Sequence, residues 1–197
     1  MTVHPIEAES YRILAGRADL SAFGPSAAAV VARVIHASAD VEYAATMVLD
    51  EAAVAAGVAA LRAGAPVVTD VEMVAAGIPG IPTVCYLSEA AADTDAGLTR
   101  SAAGMRIAAA RHPDGAVVVV GCAPTALAEV VRLWGEGALR PALVVGLPVG
   151  FVGAVEAKAA LRAQHALASI SNVGEKGGSA VAAAAVNAMA RLTGARP

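Results

Sequence analysis

Short runs of β-branched and other apolar residues alternate along the chain with longer alanine-rich segments. The runs have the length of strands that are buried on both faces, and the alanine-rich segments have the length of helices. Predicted strands cover residues 66–70, 83–87, 116–120, 142–146 and 167–171, and predicted helices cover 26–39, 51–63, 101–110, 124–136, 153–163 and 179–192. This alternation predicts a three-layer α/β fold, in which a mostly parallel sheet lies between two layers of helices.

The composition fits a single domain over residues 1–197. A chain of 197 residues is long enough for one large core and short for two. No repeat, linker or change in composition divides it. Hydrophobic residues make up 57% of the chain and aromatic residues only 3%. One subunit does not readily bury so many small apolar side chains, so we expect a homodimer.

Charge and apolar run lengths exclude several classes of partner. The net charge of −3 and the dispersed lysines and arginines provide no basic surface for nucleic acid. No apolar stretch reaches the roughly 18 residues of a membrane-spanning helix. The first ten residues do not resemble a secretory signal, and Cys85 and Cys122 lack metal-binding spacing. We therefore expect a soluble cytoplasmic protein that binds neither nucleic acid nor a membrane and holds no structural zinc.

A polar cluster at the end of the first predicted helix is the main candidate for chemistry. His36 lies close to Arg33, Ser38 and Asp40 in an otherwise apolar stretch. Imidazole exchanges protons near neutral pH, and helical spacing places Arg33 and Asp40 on the same face as His36. We predict proton transfer at His36, with Asp40 orienting the ring and raising its pKa. The alternative is a core histidine that makes one hydrogen bond.

Further candidates follow the predicted strands, at the edge where parallel sheets bind ligands. Asp70 and Glu72 could act as paired acids, or they could end a strand and cap a helix. Arg100 precedes Ser101, a possible helix cap. Its guanidinium could bind a carboxylate through two nitrogens, or it could be a solvated surface group.

Two glycine-rich segments at the same edge suggest a backbone that lies close to a ligand. Residues 146–153 (GLPVGFVG) follow a strand and begin a helix, but they lack the second glycine of the dinucleotide fingerprint. Residues 174–179 (GEKGGS) lack the Gly-Lys-Ser/Thr order of a phosphate loop. This second segment could bind a carboxylate through Lys176, Gly177 and the helix start, or Ser179 could cap the helix.

Taken together, these segments resemble the precorrin-8X methylmutase family. The resemblance rests on VIHAS (34–38), AGAP (63–66), DVEMV (70–74), TRSAA (99–103), APTAL (123–127), GLPVGFVGA (146–154) and GGS (177–179). These segments follow one another in order and cover nearly the whole chain.

The resemblance implies an α/β homodimer that binds a corrinoid substrate. It implies an isomerase of cobalamin biosynthesis, which moves a methyl group from C-11 to C-12 of precorrin-8X and gives hydrogenobyrinic acid, or which acts on the cobalt form. It implies no cofactor, and neighbouring pathway enzymes are possible partners. The family's catalytic histidine falls on His36 and its substrate-contacting residues fall on Ser10 and Arg33. Further substrate-binding candidates are Arg100, Ser101, Asp70, Lys176 and Gly177.

One position departs from the family's pattern. Glu175 stands where the family has a cation, which should weaken binding of an anionic ligand by residues 174–179. Two other functions stay open at this point. The protein could be a carrier that holds a tetrapyrrole without converting it, or a nucleotide-dependent enzyme of the doubly wound fold.

Overall fold

Strands and helices alternate along most of the chain, as the sequence pattern predicts. The computed structural model describes residues 4–93 and 97–194, so the ends of the predicted domain at 1–3 and 195–197 lie outside the described residues. The described helices are α1 (Pro5–Ala15), α2 (Pro25–Ser38), α3 (Tyr43–Thr46), α4 (Glu51–Arg62), α5 (Glu72–Ala76), α6 (Arg100–Arg111), α7 (Pro124–Gly135), α8 (Ala154–Arg162) and α9 (Ser179–Leu192). The described strands are β1 (Met47–Val48), β2 (Val67–Thr69), β3 (Thr83–Cys85), β4 (Val117–Val120), β5 (Leu143–Gly146) and β6 (Ser169–Asn172).

The strands form one sheet in the order β1-β6-β5-β4-β2-β3. β1 is antiparallel to β6, and the other neighbouring pairs are parallel. Alternate side chains of β4 enter opposite cores. Val117 and Val119 pack with α2, α4, α5 and α9 on one face, and Val118 and Val120 pack with α6, α7 and α8 on the other. The predicted three-layer α/β architecture is confirmed.

The elements that the sequence pattern missed are short or polar. β1 has two residues and pairs only with the last part of β6. α3 and α5 have four and five residues, too few for a helical period to be recognised. α1 has eleven residues, of which only Leu14 is buried. Its apolar face is therefore too narrow to produce a clear pattern.

At the crevice between the carboxyl ends of β2 and β4, a side chain of the protein occupies the backbone N–H groups that could bind a ligand. The order of strands reverses here, and open α/β sheets commonly bind ligands at such a point. The carboxylate of Asp70 accepts backbone N–H groups from Gly121 (3.0 Å), Cys122 (2.9 Å) and Ala123 (2.8 Å). Asp70 is 1% exposed, and burial raises its pKa although the three N–H groups lower it. This geometry corrects the prediction of Asp70 as a substrate contact, because its oxygens face the backbone before α7.

The two glycine-rich segments lie against each other. A Cβ atom on Gly177 would stand 2.3 Å from the carbonyl oxygen of Leu147 and 2.4 Å from that of Pro148. The N–H of Gly178 donates to Leu147 O at 2.9 Å. Gly178 is also the cap of α9, with no side-chain cap from Ser179. The glycines predicted a backbone close to a ligand, but the close approach is between these two loops. Gly177 packs against Leu147 and Pro148.

Replacement of Asp70 by asparagine tests the role of this buried carboxylate. The amide keeps one acceptor oxygen but presents an NH2 group to backbone donors. We expect Asp70→Asn to lower the free energy of unfolding by about 2 kcal/mol, measured by urea denaturation at pH 7. Asp19→Asn is the control, because Asp19 is exposed on the surface and accepts one N–H group from Ser21. It should cost less than about 0.5 kcal/mol. Equal losses in the two variants would contradict this role.

Candidate active site

The imidazole of His36 lies at the end of α2, where α1 packs against it. Ser10 Oγ is 2.7 Å from His36 Nδ1. The ring of Tyr11 stacks on the imidazole, with centroids 5.0 Å apart and planes inclined by 11°. His36 is half-buried. Because Nδ1 is engaged by Ser10, Nε2 is the nitrogen available to a ligand.

Asp40 does not orient this ring, and the prediction that it does so is wrong. α2 ends at Ser38, and Ala39 takes a left-handed conformation with a φ of 54°. The turn takes Asp40 out of helical register with His36, so the spacing rule no longer applies. Asp40 Oδ2 instead accepts a hydrogen bond from Lys176 Nζ at 2.6 Å.

Three charged side chains surround the imidazole. Arg33 Nη1 and Arg191 Nη1 both donate to Glu7 Oε1, at 3.1 Å and 2.7 Å. Burial lowers the pKa of His36, Arg33 lowers it further, Glu7 raises it and Arg191 lowers it. The net effect is a lowered pKa, opposite to the predicted direction. This lowered pKa favours the neutral ring in the free protein.

Two cavities adjoin this cluster. One of about 120 Å³ is lined by Ser10 of α1, Arg17 of the loop after it, His36 of α2 and their neighbours. The other, of about 390 Å³, lies between α1, α2 and α9 and is lined by Tyr11, Arg33 and their neighbours. Pockets for small molecules usually hold about 300–1,000 Å³. The first cavity therefore admits only part of a large ligand, and the second has the size of a binding pocket.

Lys176 joins the loop before α9 to the segment that follows α2. Its Nζ donates to Asp40 and to Glu42, at 2.6 Å and 2.7 Å, and these carboxylates raise its pKa. The fully buried side chain of Lys158 holds this loop in place. Lys158 Nζ donates to Lys176 O at 2.8 Å and to Asn172 Oδ1 at 3.0 Å, and burial lowers its pKa to about 8. The charge of Lys176 is thus compensated within the chain.

Arg100 and Ser101 lie in the opposite helix layer. Arg100 is exposed, and its guanidinium donates to the carbonyl oxygens of Leu87 (2.9 Å) and Ala90 (3.4 Å). The cap of α6 is Thr99, so Ser101 is a residue of the first turn and not the predicted cap. The structure brings Ser10, Arg33 and His36 into one cluster, but it does not bring Arg100 or Ser101 into that cluster.

The comparison with known families decides the identification. The model of the precorrin-8X methylmutase family matches residues 5–192. The chain belongs to this family. It is accordingly an isomerase of cobalamin biosynthesis.

Similar proteins cover nearly the same length. The chain is 43% identical over 178 residues to a cobalt-precorrin-8 methylmutase of Methanothermobacter thermautotrophicus, with 89% of this chain and 85% of that protein covered. It is 40% identical over 192 residues to a precorrin-8X methylmutase of Pseudomonas aeruginosa, with 92% of each covered. The crystal structure of precorrin-8X methylmutase from Thermus thermophilus superposes with a TM-score of 0.85 at 40% identity, covering 95% of each chain.

Three residues of the cluster escaped the sequence analysis. Glu7 and Tyr11 lie on α1, which the pattern did not predict, and Arg191 reaches the site only because α9 packs on α2. A signal for the first two exists in the sequence. Glu7, Ser10 and Tyr11 have the spacing of one helical face, so recognising α1 would have placed them together.

Among the described residues, no helix has the length and apolar character needed to cross a membrane.

Titration of His36 by NMR tests the electrostatics of this cluster. We expect a midpoint below 6.5, because burial and two arginines disfavour the charged ring. Stability from this group is therefore lost as the pH falls through 6.5 towards the folded-state pKa. Arg33→Gln should move the midpoint upwards. Arg12→Gln is the control, because Arg12 is exposed and pairs with Glu9. A midpoint above 6.5, or an equal midpoint in both variants, would contradict the assignment.

Proposed function

We propose that the protein moves a methyl group from C-11 to C-12 of precorrin-8X, or of its cobalt form, with His36 as the proton donor. The observation that carries the proposal is the environment of the imidazole. One ring nitrogen is held by Ser10, one face is covered by Tyr11, and the ring lines an open cavity. Family membership gives the reaction class, and this geometry supports His36 as the acid.

The chemistry is redox-neutral, so the residues need only move a proton. In the proposed mechanism, Nε2 of the imidazolium gives its proton to the macrocycle, which makes the conjugated system electron-poor. The methyl group then migrates with its bonding electron pair from one ring carbon to the next. The proton returns to Nε2, so product and substrate are isomers. General acid assistance of this kind is typically worth a factor of about 100 to 10,000.

The substrate's carboxylates explain the cations around the site. Arg33 lies beside the imidazole and lines the larger cavity, so we assign it to a carboxylate of the macrocycle. Arg100 is exposed, and Ser101 lies beside it at the start of α6. We propose them as contacts for an outer carboxylate. Lys176 already pairs with two carboxylates, so its proposed role is to order the rim of the site. Gly177 allows that loop to pack.

A second copy of the chain would complete the site. Apolar side chains are exposed in the loop after β5 and on α5, which follows β2. Phe151 is 92% exposed, Val152 is 88% exposed and Met73 is 73% exposed. Large apolar side chains with this exposure favour burial in an interface. We therefore propose a homodimer, in which the partner subunit covers these side chains. The free thiols of Cys85 and Cys122 support a reducing, cytoplasmic location.

A comparison of binding and turnover tests the proposed function. Purified protein is incubated with metal-free and with cobalt-containing substrate, and the visible absorption of the corrin is followed. We expect isomerisation in the wild type. His36→Ala should retain ligand binding but lose a factor of at least about 100 in turnover. Arg12→Gln is the control variant. Equal turnover in wild type and His36→Ala would contradict the role of His36, and binding without turnover in the wild type would favour a carrier.

Sedimentation equilibrium tests the proposed dimer. The chain has a mass of 19.4 kDa, and we expect twice this mass for the wild type. Phe151→Asp should shift the equilibrium towards the monomer, because the interface would bury a charge. Ile6→Asp is the control, since Ile6 is 75% exposed on α1 and lies outside α5 and the loop after β5. A monomeric wild type, or dissociation by the control substitution alone, would contradict the proposed interface.

A further inference from the structure

We infer that Arg191 and Arg33 together bind a carboxylate arm of the corrinoid substrate, and that this carboxylate promotes protonation of His36. The inference rests on the proposed function, because it takes a polycarboxylate macrocycle as the ligand. It assigns a substrate-binding role to Arg191 in the last helix.

The two guanidinium groups are brought together by one acid. Arg191 on α9 and Arg33 on α2 both donate to Glu7 Oε1 of α1, at 2.7 Å and 3.1 Å. Three helices that are distant in sequence thus place two cations side by side. One carboxylate compensates only one of the two positive charges. The pair therefore keeps a net charge of +1 for an anionic ligand.

Donor groups are left over at this pair. A guanidinium has five N–H groups, and Arg33 Nε is buried with no hydrogen-bond partner among the described residues. The side chain of Arg191 is 44% exposed and that of Arg33 is 22% exposed. Arginine commonly binds a carboxylate through two parallel hydrogen bonds. A ligand carboxylate would use the exposed N–H groups of these two guanidinium groups that Glu7 does not engage.

The adjoining cavity suits an apolar ring that carries acid arms. Arg33 and Arg191 line the cavity of about 390 Å³, and its other walls include Tyr11, Ala32, Ala188 and Leu192. These walls are almost entirely apolar. Tyr11 also stacks on His36, so the cavity and the imidazole share a wall. A macrocycle edge can therefore pack on the apolar wall while one arm reaches the two arginines.

The charged residues that line this cavity also affect the protonation of His36. The polar and charged groups that face the imidazole are Glu7, Ser10 and Tyr11 of α1, Arg17 of the following loop, Arg33 of α2 and Arg191 of α9. Arg33 and Arg191 lower the pKa of His36. A carboxylate bound between them adds a negative charge and raises that pKa. The free enzyme then holds a neutral ring, which takes up a proton when substrate binds.

The test compares Arg191→Gln with Arg12→Gln, which removes the same charge from an exposed arginine paired with Glu9. The ligands are hydrogenobyrinic acid and the same corrinoid with its carboxylates esterified, titrated by visible absorption. We expect Arg191→Gln to weaken binding of the acid about tenfold or more and to leave binding of the ester unchanged. Arg12→Gln should bind both ligands as the wild type does.

The proton on His36 gives a second readout that needs no turnover. By NMR, the midpoint of His36 in the free protein should rise in Arg191→Gln, because a cation is removed. The acid ligand should raise the midpoint in the wild type and raise it less in Arg191→Gln. A structural role for Arg191 would leave the difference between acid and ester unchanged.

The outcomes separate this inference from the proposed function. If the wild type binds the acid and the two variants have equal dissociation constants for it, the carboxylate subsite is wrong and the proposed function stands. If Arg191→Gln weakens the acid and the ester equally, the subsite is also wrong. If the wild type binds no corrinoid, the proposed function fails and this inference fails with it.

Discussion

The hydrogen bond between Ser10 and His36 links the candidate catalytic imidazole to the packing of α1 against α2. α1 buries only Leu14, so apolar packing holds it weakly. Its other contacts are made by Ser10 with the imidazole, by Tyr11 stacked on the same ring, and by Glu7 with two arginines. The interactions that position α1 are therefore the interactions that define the site.

The carboxyl edge of the sheet shows how misleading ligand-like features can be. Backbone N–H groups before α7 bind an anion, but that anion is Asp70 of the same chain. Gly177 permits a close approach, but to a neighbouring loop. Lys176 offers a cation, and two carboxylates of the chain already bind it. Where α1, α2 and α9 meet, by contrast, Arg33 Nε has no hydrogen-bond partner among the described residues.

The sheet and its main helices were predictable because their sequences are dominated by burial. Runs such as Val117–Val120 permit no exposed face, and helices of nine or twelve residues separate the strands from β3 to β6. The resemblance assigned Ser10, Arg33 and His36 to the site, and the structure brings their side chains together. The position of the Asp40 side chain could not be predicted. Helical spacing assumes that α2 continues, whereas α2 ends before Ala39, which has a positive φ. The position of Arg191 beside Glu7 could not be predicted, because it depends on the packing of helices that are far apart in sequence.

The account depends on His36 acting as the acid in its protonated form. The most direct measurement is the rate constant of methyl migration in a single turnover, between about pH 5 and pH 8, alongside the NMR titration of His36 in the complex. The account predicts a rate constant that falls as the pH rises, with a midpoint equal to the pKa of His36 in the complex. A rate constant that does not change over this range, or that rises with pH, would contradict it.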